Sequence, residues 1–463
     1  MKNTFRILKF LIIGILLFSC DDSLEQLPQD GLNAASAFRT VADLQAGLNT
    51  AYNDYDANTV IEFNSIFTDN TKLGIDNGGQ QVPLHSLFLD ETSGDSFDLW
   101  RTRYGMINNA TRVIEAVDLI TREDGDEDEV NHILGQAYAL RAFAHFELFQ
   151  YYTPDYLNPD GISVPAIDYI VTVEDNARNT VSEVLSLINE DLNTSSQLLD
   201  PSEAGNPIFI NQDFITALRA RISLFTADYS SALARANELI DDYPLANRDQ
   251  YVDMFLDADN TEVIWKAQRV NGDQLAGGIW NFQNFGPFIE MSNSLYDLFD
   301  QDDVRFGVNY SEEFSNPNAG VYIIYKYPGS TFQYLSDMKT FRVSEMYLIR
   351  AEALARNQNF DDAESTLKQL RDARFGFDTD RPSFNNLNDA LDFIVTERRL
   401  ELAYEAHRYL DLKRLGLPLE RADEDCSELS NACTLSPNDR RFTLPIPGAE
   451  LNGNDLMIQN DGY

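Results

Sequence analysis

The segment Gly277-Gly278-Ile279-Trp280-Asn281-Phe282-Gln283-Asn284-Phe285 sets three aromatic rings and three side-chain amides next to a pair of glycines. Flat apolar rings suit the CH faces of pyranoses and planar amides bridge hydroxyls, so this composition fits recognition of a sugar. Trp280 is the expected stacking platform, with Asn281, Phe282 and Phe285 beside it. The alternative for Trp280 is a core aromatic that clamps its loop. A second polar stretch, from Thr68 to Gln81, is expected to face the first and to add hydrogen bonds through Asp69, Asn70 and Gln81. Trp265, in the strand-like run from Val263 to Ala267, and Trp100, at a helix start, read as packing residues.

Constellations for catalysis are sparse. The histidines, His85, His132, His145 and His407, stand apart, with no pair at the four-residue spacing of a helical metal site. His145 lies in an apolar helix and reads as a satisfied core histidine. No phosphate-binding loop, dinucleotide fingerprint or Gly-x-Ser-x-Gly turn occurs. The 75 Asp and Glu residues make paired acids unavoidable, yet a glycosidase needs two of them facing across a cleft, and nothing marks such a pair. Glu397, Glu401 and Glu405 share one helical face beside Arg398 and Arg408, which reads as an ion-pair network. The acidic run from Glu123 to Glu129 lacks the glycine and distal glutamate of a calcium loop and reads as a solvated turn. No cofactor is expected; calcium elsewhere stays open without an assignable site.

The elements that position these residues begin with an export signal. Lys2, Arg6 and Lys9 flank a short apolar run, Phe10 to Phe18, that ends Leu17-Phe18-Ser19-Cys20. This is similar to a bacterial lipobox, so residues 1–19 are expected to be a signal peptide and Cys20 the lipidated N-terminus of a tether over 20–33. No later stretch reaches the ~20 apolar residues of a membrane span. Residues 34–463 are expected to form a single body. With 35 Lys and Arg against 75 Asp and Glu, the net charge of -40 disfavours nucleic acid. In an exported chain, Cys426 and Cys433 are expected to close a local disulfide.

Apolar residues recur at three- and four-residue spacing through 35–55, 100–120, 130–151, 181–199 and 213–225, and again through 230–240, 343–355, 361–373 and 389–414. Thr180 with Glu183 forms a capping box, and Gly416 followed by Pro418 stops the last helix. Tyr347, Ala351, Leu354, Phe360, Ala363, Leu367 and Leu370 fall on the offsets of a ~34-residue tetratricopeptide-like helix pair. The fold class is therefore mainly α, with tetratricopeptide-like helix pairs and loop-rich insertions at about 68–97 and 243–340. Short β-like runs are Val263 to Ala267 and Val321 to Tyr325. Loops held on a rigid frame are where binding residues are expected.

Three places resemble the SusD/RagB-like family of surface nutrient-binding lipoproteins. Phe341 to Ala353, with Tyr347-Leu348 and Arg350-Ala351-Glu352-Ala353, looks like the family's repeat helix. Glu397-Arg398-Arg399-Leu400-Glu401-Leu402 through Asp411-Leu412 to Gly416 is similar to its Glu-Arg-Arg helix, with Ala406 where glycine is usual and Leu415 where tryptophan is usual, departures expected to touch packing. The ending Leu444-Pro445-Ile446-Pro447 and Gln459 to Tyr463 is the third, with Asp461 in place of the common proline. The resemblance implies capture of a glycan and its delivery to a SusC-like TonB-dependent outer-membrane transporter, without catalysis, from a lipid-anchored position facing the exterior. Oligopeptides are the alternative ligand, and a glycan-degrading enzyme the remoter alternative function.

Overall fold

The computed structural model describes residues 37–172, 174–201, 205–282, 285–329, 333–426 and 433–463. The expected signal peptide, Cys20 and the tether lie outside them. In chain order the helices are α1 (Val41–Asn53), α2 (Ala57–Ile66), α3 (Val82–His85), α4 (Gly94–Ala116), α5 (Glu127–Tyr152), α6 (Val181–Leu198), α7 (Gln212–Phe225), α8 (Tyr229–Asp242) and α9 (Arg248–Phe255). They continue with α10 (Asn293–Tyr296), α11 (Val304–Asn309), α12 (Val343–Arg356), α13 (Phe360–Phe375), α14 (Leu387–Glu401), α15 (Arg408–Leu415) and α16 (Gly448–Gly453). Strands are short and pair antiparallel in twos: β1 (Thr71–Leu73) with β5 (Ile289–Met291), β2 (Val263–Ala267) with β6 (Met338–Arg342), β3 (Asn281–Phe282) with β4 (Phe285–Pro287), and β7 (Leu419–Glu420) with β8 (Thr434–Leu435).

Local chemistry sets the helix starts. Thr180 N donates to Glu183 Oε2 at 2.8 Å and Glu183 N to Thr180 Oγ1 at 3.3 Å, so each residue satisfies an amide the helix leaves free. Helix α5 is apolar on almost every side from Ala137 to Tyr152, and such a helix must run through the interior. Around it Tyr55, Phe143, Phe214, Trp265 and Phe341 interlock edge to face, with Phe214 and Trp265 centroids 5.1 Å apart. Its polar groups are matched: Arg141 holds Asp191 at 2.7 Å and Arg103 holds Glu147 at 2.6 Å. His145 Nδ1 donates to Arg141 O at 2.9 Å and Nε2 accepts from Ile167 N at 3.1 Å, the satisfied core histidine its setting implies.

Helices α7–α8 and α12–α13 form the antiparallel pairs that the repeat pattern implies. Leu348, Ala351, Leu354, Ala363, Leu367 and Leu370 make a separate cluster with Ala390 and Ile394 of α14. Helices α2 and α9 stand where no periodicity marks them, and the run from Val321 to Tyr325 contributes isolated bridges rather than a strand. The expected continuous helix over 389–414 is two helices, α14 and α15, because Tyr404 and Ala406 take left-handed backbone at φ 62 and 66. The alanine at 406 is therefore a conformational matter, since a Cβ is disfavoured there and glycine is not. Ala406→Gly is expected to raise the unfolding free energy by about 1 kcal/mol, read as an upward shift of the urea midpoint at constant slope.

Glu397, Glu401 and Glu405 are ion-paired, but in the interior and with other partners than their helical neighbours. Arg305, Arg342, Arg374 and Lys326 reach them from distant segments, and Arg398 and Arg408 turn instead to Asp411 and Asp69. Glu123 to Glu129, by contrast, stays at the surface and leads into α5, where acidic groups suit the positive end of the helix dipole.

Candidate functional site

The two loop-rich segments meet. Thr71, Lys72 and Leu73 pair with Met291, Glu290 and Ile289, and Gly74 N donates to Phe288 O at 2.8 Å. A Cβ added at Gly74 would lie 2.0 Å from Pro287 O, so this close crossing of two backbones admits only glycine. Asn77 Nδ2 adds a bond to Phe288 O at 2.8 Å, and Ile75 N one to Glu290 Oε1 at 2.8 Å.

Beside this junction lies an open cleft of about 520 Å³, a size that fits one or two sugar rings. Among the described residues five side-chain amides line it: Asn58 from α2, Gln80 and Gln81 from the first loop, Gln274 and Asn281 from the second. Glu62, one helical turn after Asn58, contributes a carboxylate, and Phe288, Ile279 and Tyr334 supply apolar surface. Asn58 Nδ2 donates to Gln274 Oε1 at 3.3 Å while its own Oδ1 has no partner. Asn281 Nδ2 is held by Ile324 O at 3.1 Å, and the Gln81 amide donates to Glu62 Oε1.

Burial, together with the carboxylates of Asp95, Asp56 and Asp98, raises the Glu62 carboxyl to about 7, against the lowering effect of the Gln81 hydrogen bond. Among the described residues no lysine or arginine lines the cleft, and of the acids around Glu62, Asp56 lies 3.8 Å from Arg269 and Asp98 3.4 Å from Arg101. The site is thus rich in uncharged donors and acceptors, with one acid of shifted pKa.

The structure sorts the expected site residues. Gln81 and Asn281 come together at the cleft from opposite loops. Trp280 does not serve as an exposed platform: its side chain is 0% exposed and packs on Tyr404 with centroids 5.2 Å apart, because the turn that carries it folds back onto the core. Asp69 and Asn70 are also interior. Asp69 forms a bidentate pair with Arg408 at 2.7 and 2.8 Å, and Asn70 Oδ1 accepts from Arg399 Nε at 2.9 Å. Phe282 and Phe285 pair through their backbones in β3 and β4, and their side chains lie outside the described residues. Trp265 is buried as its strand implies. Cys426 and Cys433 are joined, with Cα atoms 5.7 Å apart.

Sequence reasoning missed Asn58, Glu62, Gln274 and Tyr334. The four-residue spacing of Asn58 and Glu62 was the available signal for α2, but polar pairs at that spacing are common on solvated helices. Among the described residues, no group of three or more His, Cys, Asp or Glu is placed to hold a metal ion, and no helix is long and apolar enough to cross a membrane.

Two family models match different parts of the chain. Residues 301–463 match the SusD family, and residues 24–224 match a model described as starch-binding associating with outer membrane. The chain belongs to the SusD/RagB-like family. The SusD-like protein P2 of Formosa agariphila is 25% identical, over 98% of this chain and 99% of that protein. The SusD-like protein P38 of the same organism is 24% identical over 89% of this chain and 91% of its own length. Among solved structures, a putative sugar binding protein from Bacteroides vulgatus has a TM-score of 0.79 at 23% identity, covering 92% of this chain and 99% of that one. A SusD superfamily protein from Bacteroides thetaiotaomicron has a TM-score of 0.79 at 22% identity, covering 91% of this chain and 99% of that one. The SusD-like fold accounts for the mainly helical frame, the paired helices and the buried Glu-Arg-Arg segment.

Proposed function

We propose that this SusD-like chain captures a neutral glycan in the cleft between its two loop-rich segments and passes it to a SusC-like TonB-dependent transporter, without catalysing a reaction. The observation that carries the reading is the convergence of five side-chain amides with Tyr334 and Phe288 in one open cleft. Amides satisfy vicinal hydroxyls in pairs and rings cover the apolar sugar face, so such a site orients a glycan without activating it. Membership in a family whose N-terminal model is described as starch-binding associating with outer membrane supports both the ligand class and the location. The lipobox-like run ending at Cys20 supports a lipid anchor, with the body facing the exterior and the membrane reached through acyl chains alone.

Binding of the purified protein to a panel of neutral and anionic oligosaccharides, followed by calorimetry, tests this reading. Gln81→Ala with Asn281→Ala is expected to weaken a neutral oligosaccharide by about tenfold to a hundredfold, as two sets of hydrogen bonds are lost. If peptides bind and no glycan does, the ligand class is wrong; if new reducing ends form, the protein is an enzyme.

Charge gives a further expectation. A uronic acid oligomer should bind more weakly than a neutral one of equal length at pH 8, because Glu62 is ionised there and repels it. With its pKa raised to about 7, Glu62 gains its proton as the pH falls through that value, and the gap should narrow. Glu62→Gln should abolish this narrowing, which titrations at several pH values would read directly.

A further inference from the structure

A second cleft, of about 450 Å³, lies along α4 and shares no lining residue with the first. Phe97, Trp100, Tyr104 and Asn108 recur at three- and four-residue spacing and form its floor, Ile167 closes one side, and Glu450 of α16 closes the other. Its walls are tied in place before any ligand arrives. Tyr104 Oη donates to Pro165 O at 2.9 Å, Trp100 Nε1 to Glu450 Oε2 at 3.3 Å, and Asn454 Nδ2 to both Glu450 Oε1 at 3.0 Å and Asn176 O at 2.9 Å.

We infer that this cleft is a second binding site, for an uncharged, hydroxyl-bearing ring with an apolar face, the chemistry of a neutral sugar unit. Three observations carry the assignment. The surface is aromatic, with Phe97 39% exposed and Tyr104 half-buried over the buried Trp100 ring, whose centroid lies 4.8 Å from that of Tyr104. Asn108 lines the cleft and its Oδ1, withdrawn from solvent, has no hydrogen-bond partner, so a ligand donor that the amide turns to meet would satisfy a stranded acceptor. Two carboxylates, Glu450 and Glu174, line the space together with the side-chain amides of Asn176 and Asn454, while Arg101 at the rim is turned to Asp98 at 3.4 Å. A ring with hydroxyls on one side and CH groups on the other suits this mixed lining, and the two carboxylates disfavour an anion.

The test uses the full purified protein carrying Gln81→Ala and Asn281→Ala, which weakens the first cleft, and four neutral probes: maltohexaose, cellohexaose, laminarihexaose and xylohexaose. Saturation-transfer NMR and calorimetry should find residual binding of at least one probe in this background. Asn108→Leu, which keeps the side-chain volume on a half-buried helix flank and removes the amide, should weaken that residual binding at least tenfold, and Phe97→Ala should weaken it as well. Residual binding that ignores Asn108→Leu, or its absence for all four probes, would overturn the second site. Failure of the first cleft appears separately, as wild-type binding that Gln81→Ala and Asn281→Ala leave unchanged.

Discussion

Glu401→Ala is expected to cost about 3–5 kcal/mol of folding stability, because it leaves three guanidinium groups buried without their shared carboxylate. Glu401 Oε1 accepts from Arg342 Nη1 at 2.9 Å and Arg374 Nη2 at 2.9 Å, and Oε2 accepts from Arg374 Nε at 2.9 Å and Arg305 Nη1 at 3.3 Å. The side chains of Glu401, Arg305 and Arg374 are 0% exposed, so water cannot take over the lost contacts. The network ties α14 to its neighbour α13 and to the more distant α11 and β6. Equilibrium urea unfolding at neutral pH measures the loss, and a change under about 1 kcal/mol would mean that the cluster relaxes to admit solvent.

The same cluster gives the acid response a sign. Burial by itself would raise the Glu401 carboxyl, but Arg374, Arg342 and Arg305 outweigh it and hold the pKa well below the ordinary 4.5. A group depressed in the folded state stabilises fully above its unfolded value and loses that contribution as pH falls below it. Asp411 beside Arg398 and Arg414, and Asp69 beside Arg399 and Arg408, are shifted the same way. The wild type should therefore lose stability steeply below about pH 4.5, and Glu401→Ala should show a shallower slope there.

Trp280→Ala is the second large effect, at about 3–5 kcal/mol, the usual range for emptying a fully buried aromatic site. Trp280 packs on Tyr404, and its backbone accepts from Phe288 N at 2.9 Å and Ile289 N at 3.3 Å, directly behind the cleft. Its indole Nε1 has no hydrogen-bond partner, so Trp280→Phe forfeits packing only and should cost less than half as much. Ligand affinity of the phenylalanine variant should stay within about threefold of wild type. A hundredfold loss of affinity with stability intact would restore Trp280 as a surface that touches ligand.

What was legible in the residues came from short-range rules. Helix periodicity, the Thr180–Glu183 cap, the stop at Gly416 and the repeat positions from Tyr347 to Leu370 depend on neighbours three or four residues away, and local sterics and hydrogen bonds decide them. The composition of the 277–285 loop pointed to the segment that brings Asn281 to the cleft. Long-range packing decided the rest. Whether Trp280 faced solvent or Tyr404 depended on how the loop folded against α14 and the turn after it. Asp69 and Asn70 looked like free polar loop residues because their partners, Arg399 and Arg408, lie more than three hundred positions away.

Glu62 and Asn58 joined the cleft only once β1 and β5 brought two distant loops onto α2. The glutamates of α14 announced an ion-pair network through their spacing, but a helix cannot show by itself which arginines will reach it. The sequence by itself determined the family and the helical frame, since these rest on local pattern; the tertiary structure decided which side chains line the cleft, because burial is a property of what packs against a residue and not of the residue itself.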